Sequence, residues 1–374
     1  MGTQIFRQPQ ALPLQDSLDE LAELARTAGA KVVGAFTQRL NKPTHSYLGK
    51  GKIEQLKELV QAKRIDTVIC DDELSPTQQQ NLERELEEKV KVIDRTALIL
   101  DVFARRAQTR EGRLQVELAQ HEYLMPRLAG QWSHLERLGG GIGTRGPGET
   151  QIETDRRLVR GRILRIKKAL DQVSRQRGQY RVRRRNEGVP VVSLVGYTNA
   201  GKSTLLNSLT DAEVTAEDKL FSTLDPVTRS IRLPSGKEAL LTDTVGFIQK
   251  LPPTIIAAFR ATLEEIEEAT LIMHVVDISH KNAANHVDEV EKVLGDLDVA
   301  DKPRVLVLNK IDLLPIGSDS TDGDGGIGFP GIDVAPGAVM VSAIKGTGMP
   351  DLLNEIERQL SIVNSAEPVL AINT

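Results

Sequence analysis

Cysteine is nearly absent from this chain of 374 residues, since Cys70 is the only one. No disulfide can form within a single chain, which fits a reducing compartment such as the cytosol. Cys70 lies in the apolar run DTVICDD, so we expect a small buried core residue rather than a reactive thiol.

Aromatic residues are also scarce, at 3% of the chain, which argues against a β-sheet that stacks nucleic-acid bases on exposed rings. No apolar run reaches the ~18 residues that a membrane span requires, and no secretory signal opens the chain. The formal net charge is only −4, so binding to nucleic acid would need a local basic patch. We therefore expect a cytoplasmic protein without stable membrane insertion, and peripheral association with a membrane stays open.

Residues 18–106 alternate between short β-branched segments and segments with helical spacing that start at Ser or Thr caps. This alternation predicts a small α/β domain with a mostly parallel sheet over residues 1–110. The predicted strands are 30–38, 66–72 and 91–95, and the predicted helices are 52–63, 75–89 and 96–106.

Residues 111–188 have helical spacing on both sides of a glycine-rich break at 139–151. We predict a helical hairpin with a glycine-rich tip and a first helix bent near Pro126. The second arm is basic, because residues 151–188 contain eleven Arg and two Lys against two Asp and two Glu, a net charge of 13 − 4 = +9. A solvated helix face and a contact surface for RNA phosphates both fit this charge, and the acidic balance of the whole chain favours RNA.

From Val189 onward, near-continuous apolar segments separated by helical patterns predict buried parallel strands, with a hairpin at 229–244. The pattern is typical of a doubly wound α/β domain, here over residues 189–362, followed by a short tail at 363–374. The Gly- and Asp-rich segment 315–337 is predicted to be a disordered surface insertion.

The sequence GYTNAGKS, Gly196 to Ser203, matches the pattern G-x-x-x-x-G-K-S between a predicted strand and a predicted helix. Its glycines allow backbone N–H groups to curl around a phosphate, and the helix N-terminus adds a favourable dipole. Lys202 is expected to reach the β- and γ-phosphates, and Ser203 to ligate Mg²⁺. The motif predicts a site for a nucleoside triphosphate.

Asp243 and Gly246 form the pattern D-x-x-G at the end of a predicted strand. Asp243 is expected to hold Mg²⁺ through water, and the Gly246 N–H to contact the γ-phosphate. Thr223, in FSTLDP, is the candidate for a second hydroxyl on Mg²⁺ and is expected to be ordered by the γ-phosphate. The predicted catalytic residues are Lys202, Asp243 and Gly246.

The sequence NKID, Asn309 to Asp312, follows an apolar strand and predicts the base that is bound. A carboxylate there can accept hydrogen bonds from the N1–H and the exocyclic amine of guanine, a donor pair that adenine lacks. Asn309 can bridge to the phosphate loop, the Lys310 stem can cover the ring, and the Ala343 N–H can meet guanine O6. The predicted GTP-binding residues are Gly196, Tyr197, Thr198, Asn199, Ala200, Gly201, Lys202, Ser203, Thr204, Phe221, Ser222, Thr223, Leu224, Asp225, Asp243, Thr244, Val245, Gly246, Asn309, Lys310, Ile311, Asp312, Ser342, Ala343 and Ile344.

Together these motifs resemble those of the HflX family, within the translation-factor-like GTPases. The resemblance covers roughly residues 15–362, and its most specific part is the glycine-rich segment 140–157, since phosphate-loop motifs are widely shared. The segments that carry it are YLGKGKIEQL, GGIGTRGPGETQIETDRR, GYTNAGKSTLLNSL, FSTLDP and DTVGFIQKLPP.

The resemblance implies an enzyme that hydrolyses GTP to GDP and phosphate and associates with the large ribosomal subunit. It also implies that the protein splits or rescues stalled or stressed ribosomes, and that the hairpin tip reaches ribosomal RNA. The candidate RNA contacts are Arg145, Arg156 and Arg157. Separately from the resemblance, we expect a monomer.

Some members of the family also bind ATP in the N-terminal domain and unwind RNA. A phosphate could be held by LGKGK before a helix, although a helix start with exposed lysines fits the same residues. The matching candidates here are Gly49, Lys50, Gly51 and Lys52.

Phe247 follows Gly246 at a position where many small GTPases have a Gln that orients the attacking water. A phenyl ring cannot polarise water, and the HflX family shares a hydrophobic residue there, so we expect slow intrinsic hydrolysis that the ribosome accelerates. Asn199 is a candidate ligand for K⁺, which would stabilise charge where an arginine finger acts; an Asn that bridges to the base-binding loop is the alternative.

Two other functions stay open at this stage. A GTP-dependent binding switch at a membrane or scaffold would also use a basic arm, although that arm has few apolar anchors on its charged side. An ATP-driven RNA helicase would use a second nucleotide site in the N-terminal domain and GTP only for control.

Overall fold

A computed structural model describes residues 1–5, 13–87, 90–128, 147–186, 188–210, 219–252, 255–256, 260–314, 321–322, 326–327 and 337–366. The chain divides into two compact units. The first comprises Met1–Arg175 and Lys250–Ala258, and the second comprises Gln176–Gln249 and Phe259–Thr374.

Two pairs of parallel strands, with helices beside them, make up the first unit. The strand β1 (Gly2–Ile5) pairs with β2 (Thr37–Leu40), and β3 (Thr67–Cys70) pairs with β4 (Lys91–Asp94). Cys70 is fully buried, as its apolar surroundings in the sequence predict. The helices are α1 (Leu14–Thr27), α2 (Lys50–Lys63), α3 (Pro76–Glu85), α4 (Arg95–Arg106), α5 (Arg110–Leu124) and α6 (Pro147–Asn186), the last of which begins in this unit.

Side-chain caps mark where α3, α4 and α5 begin. The Ser75 hydroxyl accepts the Gln78 N–H while the Gln78 side chain accepts the Ser75 N–H, and Pro76 occupies the first turn of α3. The Asp94 and Thr109 side chains cap α4 and α5 by accepting the Ala97 and Gly112 N–H groups, without the reciprocal bond. Side-chain oxygens thus satisfy backbone N–H groups that a helix start leaves unpaired, and the predicted helices of this unit are found close to their expected positions.

The strand predicted at 30–38 is wrong in position. Residues 31–36 adopt no regular structure, and the strand lies at Thr37–Leu40. Its register is fixed by pairing with β1, which the sequence patterns did not predict. Pairing partners override the β-branched composition of residues 31–36, because strand preference depends on context.

The helices α5 and α6 pack through a small apolar cluster that includes Leu118, Ile163 and Ile166. α5 ends at Leu124, shortly before Pro126, which is unfavourable for a continuing helix. The part of the predicted glycine-rich tip before Pro147, which includes Arg145, lies outside the described residues. The division of the chain at residues 110 and 188 stays a prediction.

A buried carboxylate, Asp71, is surrounded by compensating groups in the first unit. Its oxygens lie 2.9 Å from Arg95 Nη2 and 2.5 Å from Lys250 Nζ, and one accepts the Ser17 hydroxyl at 2.7 Å. Arg95, which is 1% exposed, also contacts Glu20 at 2.6 Å. Burial acts to raise the pKa of Asp71, but Arg95 and Lys250 hold the pKa below its usual value. The negative charge of Asp71 is therefore stable inside the unit because Arg95 and Lys250 pair with it.

A six-stranded sheet forms the centre of the second unit, in the order β12-β9-β8-β5-β7-β6. All neighbours are parallel except β6 and β7, which form the predicted antiparallel hairpin. This confirms the predicted doubly wound α/β fold. Its strands are β5 (Val191–Gly196), β6 (Val227–Arg232), β7 (Glu238–Asp243), β8 (Leu271–Asp277), β9 (Arg304–Asn309) and β12 (Val339–Met340).

Helices of the second unit cover this sheet, and apolar residues of the sheet and of two helices, including Leu194, Leu205 and Ile356, form one buried cluster. Among the described helices, none is both long enough and apolar enough to pass through a bilayer. The helices are α7 (Lys202–Leu209), α8 (Arg260–Glu267), α9 (Ala283–Asp296) and α10 (Met349–Ala366), with a short 3₁₀ turn at Ile311–Leu313.

The segment 315–337 contains two short strands, β10 (Thr321–Asp322) and β11 (Gly326–Ile327), which pair in antiparallel fashion. The other residues of this segment, apart from Gly337, lie outside the described residues. The predicted disorder of the insertion stays a prediction for them.

We expect Arg95→Met to lower the free energy of unfolding of the first unit by about 3 kcal/mol, because it leaves Asp71 buried with one cation fewer. The matched control is Arg105→Met on the same helix, whose ion pair with Asp101 is exposed and contributes less than about 1 kcal/mol. Urea unfolding followed by circular dichroism measures both. Equal midpoints for the two variants would contradict the role given to Arg95.

Candidate nucleotide site

The loop Gly196–Ser203 joins β5 to α7, and two of its glycines are required by close approaches. At Gly196, with φ 156°, an added Cβ would overlap the Val275 carbonyl oxygen. At Gly201, with φ 93°, it would overlap the Asn309 side-chain nitrogen. The loop can hold this curved path only without side chains at these positions.

An open depression lies over this loop. It is lined by residues 198–204 other than Ala200, by segment 221–223, and by Thr244 and Gly246. The structure thus brings together the predicted phosphate loop, the predicted FSTLDP segment and the predicted D-x-x-G segment.

Lys202 is 6% exposed, and its Nζ donates to the carbonyl oxygens of Gly196 at 3.1 Å and Tyr197 at 2.9 Å. Burial lowers the pKa of Lys202 to about 8, while Asp243 acts to raise it. The charged form is therefore incompletely stabilised, and phosphate oxygens near Nζ would stabilise it.

Ser203, Thr223 and Asp243 form a compact oxygen cluster. One oxygen of Asp243, Oδ2, lies 2.6 Å from the Ser203 hydroxyl and 2.7 Å from the Thr223 hydroxyl, and the two hydroxyls are 2.8 Å apart. The other oxygen, Oδ1, is buried and makes no hydrogen bond within the described part of the chain. Burial raises the pKa of Asp243, and the Lys202 charge opposes this shift. Two hydroxyls and a carboxylate are the oxygen donors that Mg²⁺ prefers, so these residues fit that ion.

Asn309 joins the base-binding segment to the phosphate loop, since its Nδ2 donates to the Ala200 carbonyl oxygen at 2.9 Å. Asn309 Oδ1 accepts the Ala343 N–H at 3.0 Å. The sequence predicts that this N–H binds guanine O6, whereas in the structure it binds Asn309. Asp312 accepts the Ser342 hydroxyl at 2.7 Å, and Lys310 Nζ lies 2.7 Å from Asp277. The Asn309–Ala343 and Asp312–Ser342 bonds hold the two base-binding segments beside each other.

Phe247 is fully buried, and its backbone is bound to the phosphate loop. Its N–H donates to the Gly196 carbonyl oxygen at 3.1 Å, and its carbonyl oxygen accepts the Thr198 N–H at 2.7 Å. Thr198 in turn accepts the Phe221 N–H on its hydroxyl at 2.8 Å. The Phe247 ring is thus a core side chain and takes no part in orienting water.

Sequence reasoning missed an aromatic stack beside the phosphate loop. The Tyr197 and His286 rings are parallel within 2°, and their centroids are 3.7 Å apart. The His280 ring stacks on His286 in turn, with a centroid distance of 4.5 Å. Burial, reinforced by His280, lowers the pKa of His286 to about 4, so the ring is neutral at ordinary pH. No spacing in the sequence signals this contact, because the three residues come from separate elements.

The candidates in the first unit lie apart from these residues in sequence and are described by their own contacts. Lys52 Nζ lies 4.5 Å from the centroid of the Phe36 ring and donates to Gln55 at 3.1 Å. The Gly49 N–H donates to Gln38 at 2.9 Å. ATP binding at residues 49–52 stays a prediction, as do the RNA contacts of Arg156 and Arg157 on α6.

We expect GDP binding to take up protons above pH 7.5, because phosphate oxygens raise the depressed pKa of Lys202 toward its ordinary value. The uptake should grow between pH 7.5 and pH 8.5, where GDP phosphates, with a second pKa of about 6, are already ionised. Calorimetric titrations in two buffers of different ionisation enthalpy measure it. The control is Lys202→Arg, which stays charged and should show no uptake; equal enthalpies in both buffers for the unmodified protein would contradict the prediction.

Sequence profiles of three protein families match consecutive parts of the chain. The family described as GTP-binding GTPase N-terminal matches residues 15–104, and GTP-binding GTPase Middle Region matches residues 106–184. The family described as 50S ribosome-binding GTPase matches residues 191–310.

Full-length relatives agree with these matches. GTPase HflX of Caldanaerobacter subterraneus subsp. tengcongensis is 50% identical over 349 residues, which cover 92% of this chain and 77% of that protein. GTPase HflX of Escherichia coli (strain K12) is 46% identical over 347 residues, which cover 92% and 79%. Among solved structures, the SsGBP and GDP complex has a TM-score of 0.50 at 24% identity, over 97% of this chain and 98% of that one, and shows a shared fold. The chain belongs to the HflX family of GTPases, which bind GTP and hydrolyse it to GDP and phosphate.

Proposed function

We propose that this GTPase acts on the large ribosomal subunit, where it splits or rescues stalled or stressed ribosomes. The observation that carries the proposal is a row of exposed cations on α6. Arg157, Arg160, Arg165 and Lys168 are exposed on this helix. Such a row fits the closely spaced phosphates of a structured RNA.

Two other exposed cations of α6 form ion pairs with acidic residues of α5. Arg162 lies 2.5 Å from Glu117, and Lys167 lies 2.9 Å from Glu122. These two cations are partly neutralised by acidic partners. The exposed row therefore supplies the local basic patch that a chain of net charge −4 needs for RNA.

The family match supports the same partner. Residues 191–310 match a family described as 50S ribosome-binding GTPase, and the other matched families are described as GTP-binding. A membrane switch and an ATP-driven helicase gain no support from these matches. A cytoplasmic location and a monomeric state stay predictions.

In the proposed mechanism, the chain holds GTP with its guanine at Asp312 and its phosphates along the loop from Gly196. Ser203 and Thr223 would ligate Mg²⁺ directly and Asp243 through water. Mg²⁺ supplies positive charge that neutralises the phosphates. Lys202 adds a second positive charge, and the Gly246 N–H donates toward the γ-phosphate.

The attacking water has no side-chain partner at position 247, because the Phe247 ring is buried. Intrinsic hydrolysis should therefore be slow, and we propose that the ribosome supplies the missing order or charge. Partner-supplied groups contribute roughly 10³–10⁵ to the rate in other GTPases.

To test the partner, we would measure co-sedimentation of an Arg157→Glu, Arg160→Glu variant with purified large ribosomal subunits over a range of salt concentrations. Each lost phosphate contact should reduce the salt slope of binding by about 1. The matched control is Arg232→Glu, an exposed arginine on β6, which should bind as the unmodified protein does. Unchanged binding of the double variant would refute the role of the α6 row, and preferred binding to anionic vesicles would favour the membrane alternative.

We also propose that Asn199 ligates K⁺ during hydrolysis. Asn199 is exposed on the phosphate loop with φ 61°, while Asn309 makes the bridge to the base-binding segment.

Hydrolysis should be faster in K⁺ than in Na⁺, and Asn199→Ala should abolish the difference. The measurement is steady-state phosphate release at equal ionic strength. Equal rates in the two salts would remove K⁺ from the mechanism.

A further inference from the structure

Three buried hydrogen bonds join the phosphate loop to the segment that follows Gly246. Two of them are the backbone bonds of Phe247 to Gly196 and Thr198, which form a parallel bridge between Tyr197 and Phe247. The third bond uses a side chain, since the Gln249 N–H donates to the Tyr197 hydroxyl oxygen at 3.0 Å. Residues 247–249 are therefore held along the loop at both ends.

The Tyr197 hydroxyl is aimed by the stack described above. The His286 ring lies flat against the Tyr197 ring, and the His280 ring stacks on His286. Tyr197 is 5% exposed. A ring clamped in this plane keeps its hydroxyl in one direction, toward the Gln249 backbone.

Gly246 directly precedes the anchored residues 247–249, and its N–H is the group expected to contact the γ-phosphate. A Cβ added to Gly246 would lie 2.5 Å from Thr198 Cα and 3.0 Å from Lys202 Nζ, so its backbone is packed directly against the phosphate loop. On its other side the chain leads back to Asp243, which the oxygen cluster fixes. The position of the Gly246 N–H thus depends on anchors before and after it.

We propose that Tyr197 is a positioning residue for GTP hydrolysis: its hydroxyl, aimed by the stack on His286, anchors Gln249 and so holds the Gly246 N–H toward the γ-phosphate. Tyr197 acts through Gly246, because its hydroxyl is bonded to Gln249. GDP has no γ-phosphate, so its affinity should not depend on this anchor. The inference concerns the intrinsic reaction and does not require the ribosome.

The test is Tyr197→Phe, which keeps the ring and its stack and removes only the hydroxyl. Single-turnover GTP hydrolysis without ribosomes should slow by about fivefold to tenfold, the effect of losing one buried hydrogen bond. The affinity for GDP should stay within about twofold, while the affinity for a non-hydrolysable GTP analogue falls.

Two controls separate positioning from general destabilisation. Tyr123→Phe removes another buried tyrosine hydroxyl, bonded to Asp94 at 2.9 Å in the first unit, and should leave hydrolysis unchanged. His286→Ala should slow hydrolysis, and His286→Phe, which restores a flat neutral ring, should recover the rate.

An unchanged or faster hydrolysis rate in Tyr197→Phe would overturn the proposal, the faster rate showing that the anchor restrains the segment instead. A parallel loss of GDP affinity would also overturn it, because the residue would then serve the loop as a whole. Since no ribosome is present, these outcomes are independent of whether the large subunit is the partner.

Discussion

The parallel pairing of β5 with both β7 and β8 is the constraint on which the nucleotide site depends. Parallel strands end at the same edge of a sheet, so the segments that follow β5, β7 and β9 meet there. The phosphate loop, the D-x-x-G segment and NKID are those three segments. Contacts between them, such as Asp243 to Ser203 and Asn309 to Ala200, then fix their positions within hydrogen-bond distance.

The same edge explains how the protein tolerates a phenylalanine after Gly246. The Phe247 ring joins the interior, and its backbone continues the pairing of β5 and β7 past the point where the strands end. Compared with small GTPases that have Gln at this position, the site has a D-x-x-G segment held by backbone bonds and lacks a side chain that orients water. We propose that a partner compensates for this loss, and the exposed cations of α6 indicate an RNA-rich partner.

Sequence alone predicted the parts of the site that depend on local chemistry. Gly196 and Gly201 are required by close approaches of the backbone, and their spacing from Ser203 is set by the loop between β5 and α7. Ser203 and Asp243 were identified because their side-chain oxygens suit Mg²⁺. For the same reason the Ser75-capped start of α3 was predictable. The Ser or Thr caps predicted for α2 and α4 are wrong, because α2 has Gly49 at its N-cap without a side-chain cap and α4 is capped by Asp94. The central sheet was predictable because its strands are buried on both faces and so are continuously apolar.

The missed features all depend on partners that are distant in sequence. β2 is set by β1, Tyr197 is clamped by His286, and the Ala343 N–H is engaged by Asn309. Lys250 pairs with Asp71 within the first unit although the two are far apart along the chain. No local pattern encodes such contacts, since each side chain would fit a solvated surface or a core equally well.

The measurement that tests the central claim most directly is steady-state GTP hydrolysis with and without purified large ribosomal subunits, in potassium buffer, beside Lys202→Ala. The account predicts slow intrinsic turnover, a stimulation of roughly 10³ or more by the subunits, and the loss of both in the variant. Tight GTP binding with no stimulation would contradict it, because the compensation for Phe247 would then not come from the ribosome.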